Sequence, residues 1–284
     1  MQNAGMEYLE TRLMFGMVPG LTSTRKICEA LGNPEKKFRT IHVVGTNGKG
    51  STSFYLAGIL QAHGLKTALY TSPHLVNLRE RIRVNDLPIG EDDLNRLILQ
   101  VKEAAEKASA VQVLAGGTPI EPTFFEVLTI VAFLYYAEQG VDVAVLEAGM
   151  GGRLDSTAVA DGRIAVVTSI GLEHTEVLGA TESAILKEKM GVVGETRAAA
   201  IGKVFVLGGL SKELLDVARE ISAKLMTAVA VPTIRNDVEL PNLGRHYVEN
   251  ACLSLVAAKL FLADNASLPG GVAYDDALAL NCLK

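Results

Sequence analysis

The chain has 284 residues, 49% hydrophobic and 21% charged, with a formal net charge of -5. That length supports one large core or two smaller ones, and the composition excludes a disordered chain. The acidic balance gives no global electrostatic case for nucleic acid, so anionic substrates would need locally arranged cations.

The first residues, "MQNAGMEYLETRLMF", carry acidic side chains and no apolar signal core. The longest apolar runs, such as "VLTIVAFLYYA", are too short to span a bilayer. Cys28, Cys252 and Cys282 are widely spaced and odd in number, which fits neither a metal cluster nor a disulfide framework and suits a reducing cytosol. The expectation is a cytoplasmic protein with small-molecule substrates and neither nucleic acid nor membrane as partner.

Further along, "TIHVVG" (40–45), "KTALYT" (66–71), "VDVAVLEA" (141–148), "RIAVVTS" (163–169) and "KVFVLG" (203–208) read as buried strands. Helical patterns fall near 51–63, 91–109, 123–139, 181–191 and 211–225. The alternation predicts an α/β fold, a mostly parallel sheet with helices on both faces. Ligands in such sheets bind at the carboxyl ends of the strands. Residues 72–90 read as a polar functional loop or small excursion. At the far end, "ADNASLPGGV" (263–272) has a linker composition and "AYDDALALNCLK" reads as a helical stub, so the expected division is one domain over 1–262 and a linker with stub over 263–284.

The unusual residues sit at strand ends. "IHVVGTNGKGST" (41–52) departs from the common phosphate-loop spacing, because Gly50 separates Lys49 from Ser51. Amides of Thr46, Asn47, Gly48, Lys49, Gly50 and Ser51 at a helix start can wrap phosphate oxygens, with the helix dipole assisting. Lys49 would neutralise phosphate charge, and Ser51 or Thr52 would offer a hydroxyl to magnesium. The plainer alternative is a glycine turn with a solvated lysine.

"YTSPHL" (70–75) places Ser72 and His74 at the next strand end, as a hydroxyl ligand and a substrate-facing imidazole or simply as a turn. "VLEAGMGGRLDST" (145–157) ends a strand on Glu147, whose buried charge calls for a metal ion or for a salt bridge to Arg153. "TSIGLEHTEVLG" (168–179) sets Glu173 and His174 beyond another strand, with His174 either a ligand or a structural hydrogen-bonder. Lys189, in "KEKMGVV", lies on the following helix, where a surface lysine is the plain reading.

In this order, "FGMVPGL", "LGNPEKKF", "HVVGTNGKGS", "YTSPHL" with "RERIRVN", "TFFEVLT", "EAGMGGRLDST", "SIGLEHTEVLG", "EKMG" and "LGRHYVENA" resemble the folylpolyglutamate synthase/dihydrofolate synthase family. These are ATP-dependent amide ligases of the Mur-ligase type. The resemblance implies a P-loop-type Mur-ligase central domain, with ATP and Mg2+ required. It implies that Lys49 and the neighbouring amides hold ATP phosphates, and that Ser51, Ser72, Glu147 and His174 serve the magnesium site. It further implies carbamylation of Lys189, nucleotide contacts from His246 and Asn250, and a pterin-bearing substrate near His74, Arg81 and Arg83.

The implied reaction joins L-glutamate to dihydropteroate or a reduced folate through an acyl phosphate. Tyr247 departs from the family's usual amide side chain, and 194–235 matches poorly. The family's second domain, with its tryptophan-containing entry motif, has no counterpart here, since the sequence holds no Trp. The alternative expectation is therefore an ATP-binding remnant without ligase activity of its own.

Overall fold

A computed structural model describes residues 4–16, 20–194, 202–238, 240, 244–264 and 272–283. The expected strands form as β1 (Arg39–Val44), β2 (Thr67–Tyr70), β5 (Val143–Glu147), β6 (Gly162–Val167) and β7 (Val204–Leu207). Three short strands, β3 (Ile82–Val84), β4 (Leu87–Pro88) and β8 (Ala228–Ala230), complete one sheet in the order β4-β3-β2-β5-β1-β6-β7-β8. All pairings from β2 to β8 are parallel, and only the β3–β4 excursion runs antiparallel.

The helices are α1 (Ala4–Thr11), α2 (Thr22–Ala30), α3 (Lys49–Ala62), α4 (Glu91–Leu114), α5 (Phe124–Gln139), α6 (Thr175–Leu178), α7 (Glu182–Met190), α8 (Lys212–Leu225), α9 (Arg245–Ala263) and α10 (Asp276–Asn281). Strand alternation divides them between the faces. Ile41 and Val43 of β1, with Val143 and Val145 of β5, meet α3 and α9 on one face. Ala144 and Leu146 of β5 meet α4 and α5 on the other, where Val44 and Val167 also meet α7 and α8. Because side chains alternate with period two, an apolar run buried on both faces is what a central parallel strand requires.

Helix α5 is buried along most of its circumference, from Val127 to Tyr136, as its unbroken apolar sequence demands. Thr123 and Glu126 form a reciprocal capping box at its start, and Gly140 closes it in the left-handed region. The linker composition at 265–271 lies outside the described residues. Beyond it, Tyr274 stacks on His63 at 5.5 Å, the Asp275 N–H donates to His63 Nε2, and Ala279 and Leu283 join the α3–α9 core. Residues 272–283 thus pack on the α/β body. The apolar Ala279 and Leu283 find their burial there.

Among the described residues, no helix is long and apolar enough to cross a membrane.

Candidate nucleotide and substrate site

Four neighbouring strands, β2, β5, β1 and β6, deliver their carboxyl ends to one edge of the sheet. Val43 of β1 is level with Glu147 of β5, and Val44 is level with Val167 of β6. The segments starting at Gly45, Ser72, Ala148 and Thr168 therefore emerge side by side.

The loop after β1 is fixed by its neighbours. The Thr46 N–H donates to Ser169 O at 2.8 Å, and the Asn47 N–H donates to Ser169 Oγ at 3.0 Å. The Thr168 and Ser169 hydroxyls both donate to Asn47 O. Gly48 takes φ 81° as it opens α3, and a Cβ there would fall 2.6 Å from Asn250 Oδ1 on α9. Glycine is needed at that position for both conformation and space.

Gly50 is different. A Cβ there would stand 3.8 and 3.9 Å from the two Glu147 carboxylate oxygens, an ordinary contact. The residue that breaks the common loop spacing thus keeps the start of α3 open beside a carboxylate. Lys49 Nζ turns back onto its own loop, donating to Gly45 O at 2.8 Å and Thr46 O at 3.1 Å. Ser51 is half-buried at the helix start. Thr52 is fully buried, its N–H donates to Gly48 O at 3.0 Å, and its hydroxyl has no hydrogen-bond partner among the described residues.

Glu147 is 4% exposed, and one of its oxygens accepts from the Ser72 N–H at 3.0 Å. Burial pushes its carboxyl up to about 7, against the pull of that amide and of the Lys49 charge. Arg153, the alternative partner, donates to Glu188 at 2.8 Å. The glycines after Glu147 serve close packing: a Cβ on Gly149 would strike the Phe125 ring, and one on Gly152 would lie 2.4 Å from Lys189 O.

His174 takes a left-handed conformation, with φ 44°, at the start of α6. Its ring is largely open to solvent, with Nδ1 3.9 Å from Glu176. Lys189 is not a surface lysine: it is 1% exposed and reaches back to the loop. Its Nζ donates to Gly45 O at 3.0 Å and pairs with Glu173 Oε1 at 2.6 Å. Burial draws the Lys189 ammonium below its ordinary value while Glu173 opposes the shift. Among the described residues, no three His, Cys, Asp or Glu side chains form a metal-binding group.

On the other side, His74 Nδ1 accepts from Arg81 Nε at 3.0 Å, and the Arg81 guanidinium lies over the Phe124 ring. This brings two expected substrate residues together. Arg83, one pleat further, is held by Glu80 O and Asp86. His246 is exposed at the start of α9, with its ring 4.3 Å from that of Tyr247. Asn250 is buried against Gly48, so the two halves of the H-x-x-x-N pattern differ in setting.

Sequence reasoning assigned no role to three groups that build the site. Glu173 pairs with Lys189 across sixteen positions. Thr168 and Ser169 hold the Asn47 carbonyl, and the hydroxyl pair ending β6 was their signal. Asp155 is buried and accepts from the Gly149 and Met150 N–H groups, closing the glycine turn. The Asp-Ser-Thr sequence was its signal, as a cap for the short helical turn Ser156–Val159.

A doubly wound, mostly parallel sheet with a glycine loop between its central strand and a helix defines a P-loop-type α/β domain of the Mur-ligase central kind. No protein-family profile matches the chain. It is 34% identical over 283 residues to the dihydrofolate synthase/folylpolyglutamate synthase of Bacillus subtilis, an alignment that covers 91% of this chain and 63% of the relative. The folylpolyglutamate synthase of Mycobacterium tuberculosis, solved with ADP and AMPPCP, superposes with a TM-score of 0.82 at 29% identity, covering 99% of this chain and 65% of that one. A solved FPGS–AMPPCP–folate complex superposes with a TM-score of 0.83 at 27% identity, covering 99% and 71%. The chain belongs to the folylpolyglutamate synthase/dihydrofolate synthase family, and it spans a little under two thirds of the length of the Bacillus relative.

Proposed function

We propose that the chain carries the ATP-binding part of a ligase that joins a pteroate or folate carboxylate to the amine of L-glutamate. The observation that carries this is the convergence of Lys49, the loop amides, Ser72 and Glu147 on one sheet edge, with His74 and Arg81 beside them. Similarity to proteins solved with an ATP analogue, in one case with folate, supports the same pairing of ligands.

The chemistry follows from the leaving group. A carboxylate would have to expel oxide, so its oxygen first attacks the γ-phosphorus of ATP and ADP departs. The glutamate amine then attacks the acyl carbon and expels phosphate. Lys49 exchanges its two loop carbonyls for phosphate oxygens, and the amides opening α3 supply fixed dipoles as charge spreads over the transferred group. Arg81, oriented by His74 and Phe124, is suited to hold the substrate carboxylate or pterin. Arg83 borders the same loop with its charge already paired to Asp86.

Magnesium fits the residues present. Glu147 turns both oxygens toward the glycine gap at Gly50 and accepts from the Ser72 N–H, and the Ser51 and Ser72 hydroxyls would complete the set with it. This is an oxygen donor set of the kind Mg2+ prefers, to which His174 is proposed as a further ligand. When bound, the ion would neutralise phosphate charge. Carbamylation of Lys189 requires its neutral amine, which burial favours and Glu173 opposes. His246 and Asn250 are proposed to border the nucleotide, Asn250 through its contact with the loop. A cytoplasmic site suits these substrates, and it suits three cysteines that are all free.

The test is a mass-spectrometric assay with Mg-ATP and L-glutamate, using dihydropteroate in one sample and tetrahydrofolate monoglutamate in another. A glutamyl conjugate in either sample supports the proposal and tells synthase from tail extension. No conjugate from folded, ATP-binding protein would instead favour the remnant reading.

A further inference from the structure

We propose that Glu80 is a positioning residue for Arg81: its carboxylate closes the turn at 75–77 and so fixes His74 where it steers the Arg81 guanidinium. This rests on reading His74 and Arg81 as substrate residues.

Three consecutive amides converge on one carboxylate. The Leu75 N–H donates to one Glu80 oxygen at 3.0 Å, and the Val76 and Asn77 N–H groups donate to the other at 3.2 and 2.8 Å. Successive N–H groups turned to one side make a concave anion cradle, and here the anion is the chain's own side chain. Asn77 reciprocates. Its side-chain oxygen accepts from the Arg79 N–H at 3.0 Å, and its carbonyl accepts from the Glu80 N–H at 3.0 Å. The amides of Leu75 and Asn77 in turn hold the Glu80 carboxyl below its usual range.

Apolar burial does not hold this turn. Leu75 and Val76 are 93% and 89% exposed, so its shape rests on these hydrogen bonds. Yet the turn is what joins His74 to Arg81: His74 precedes the first cradled amide, and Arg81 follows the carboxylate that cradles it. Arg81 has an anchor of its own, since its carbonyl accepts from the Thr71 N–H just beyond β2 at 3.1 Å. His74 has none. Among the described residues its ring hydrogen-bonds to Arg81 Nε alone, at 3.0 Å.

That bond and the Phe124 ring, 5.7 Å from the guanidinium carbon, set the plane of Arg81. Its two terminal nitrogens make no hydrogen bond among the described residues, and such a pair matches an acid group on a ligand. Glu80 thus acts at one remove. It fixes the turn, the turn fixes His74, and His74 fixes the fork before the ligand arrives.

The experiment measures affinity for dihydropteroate, tetrahydrofolate monoglutamate and ADP in the parent, Glu80→Ala, Glu80→Gln, Arg81→Ala and the Glu80→Ala/Arg81→Ala double variant. It also follows hydrogen exchange of the Leu75, Val76 and Asn77 amides. Glu80→Ala is expected to speed that exchange and to weaken the pterin-bearing ligand about tenfold, the scale of one charged hydrogen bond. ADP affinity should stay parent-like. Glu80→Gln keeps one acceptor oxygen and should fall between the parent and Glu80→Ala. The double variant should bind no more weakly than Arg81→Ala, as a residue acting through Arg81 requires.

Faster exchange with parent-like pterin affinity in Glu80→Ala would overturn the proposal, because the carboxylate would then shape the turn without steering Arg81. Additive losses in the double variant would overturn it equally. Should Glu80→Ala not fold, Glu80→Gln carries the same test, and parent-like affinity with faster exchange there overturns the proposal too. If the parent binds neither pterin ligand, or Arg81→Ala binds them like the parent, the substrate reading itself has failed and the proposal falls with it.

Discussion

The Ser72 N–H donates to the Glu147 carboxylate across 3.0 Å, tying the end of β2 to the end of β5 beneath the phosphate loop. One amide does not offset the burial of that carboxylate, whose pKa rises from an ordinary 4.5 to about 7. Between those values the folded chain keeps a proton that the unfolded chain has lost. The group therefore lowers stability as pH rises through that window, and adds no further loss above it. A divalent cation needs the ionised form. Magnesium-dependent ADP binding should thus weaken about tenfold per pH unit below 7. In Glu147→Gln both the magnesium and the pH dependence should vanish, which titration calorimetry on either side of neutrality would read.

Gly48→Ala should be costly for two reasons. The residue would sit at φ 81° and its Cβ would press on Asn250. Roughly 1–3 kcal/mol of stability should be lost to the left-handed conformation and the contact together. Pairing it with Asn250→Ala should recover the contact share and leave the conformational share, a split that urea unfolding of both variants would resolve.

His42 predicts an acid sensitivity away from the site. It is fully buried on β1, with Nε2 on Ala160 O, and burial lowers its pKa from 6.5 to about 4. Between those values the unfolded chain binds a proton that the folded chain refuses, so this contribution to stability is lost as pH falls through that window. The slope is about 1.4 kcal/mol per pH unit. His42→Gln should flatten the dependence of the urea midpoint over that range, while an unchanged slope would assign it to other groups.

Arg81 and Arg83 should separate in kinetics. Arg81 is steered by His74 and Phe124, whereas Arg83 is occupied by Glu80 O and Asp86. Arg81→Ala should raise KM for the pterin-bearing substrate about tenfold or more, the scale of a lost charged hydrogen bond, with KM for ATP little changed. Arg83→Ala should shift either value less.

Much of this architecture was readable in the sequence because β1, β2, β5, β6 and β7 are short apolar runs bounded by turn residues, and all but β5 are followed by a helical period. The shorter strands were not. β3 carries Arg83 between two buried residues, and β8 is three residues long, so neither leaves enough alternation to recognise. The glycine loop and Glu147 stood out by position, whereas Lys189 was singled out only by the family resemblance. The pairing of Lys189 with Glu173 did not stand out, since only the fold brings α7 back to the end of β6. Thr52 shows a further limit of the same kind: it looks equivalent to Ser51 in sequence, but one further helical step buries it, a difference in setting that only the fold reveals.

The most direct measurement of the proposed reaction uses a pteroate or folate substrate whose reacting carboxylate carries heavy oxygen, incubated with Mg-ATP and L-glutamate. An acyl-phosphate route predicts a glutamyl conjugate together with inorganic phosphate bearing one labelled oxygen. A conjugate with unlabelled phosphate, or ATP binding with neither conjugate nor labelled phosphate, would contradict it.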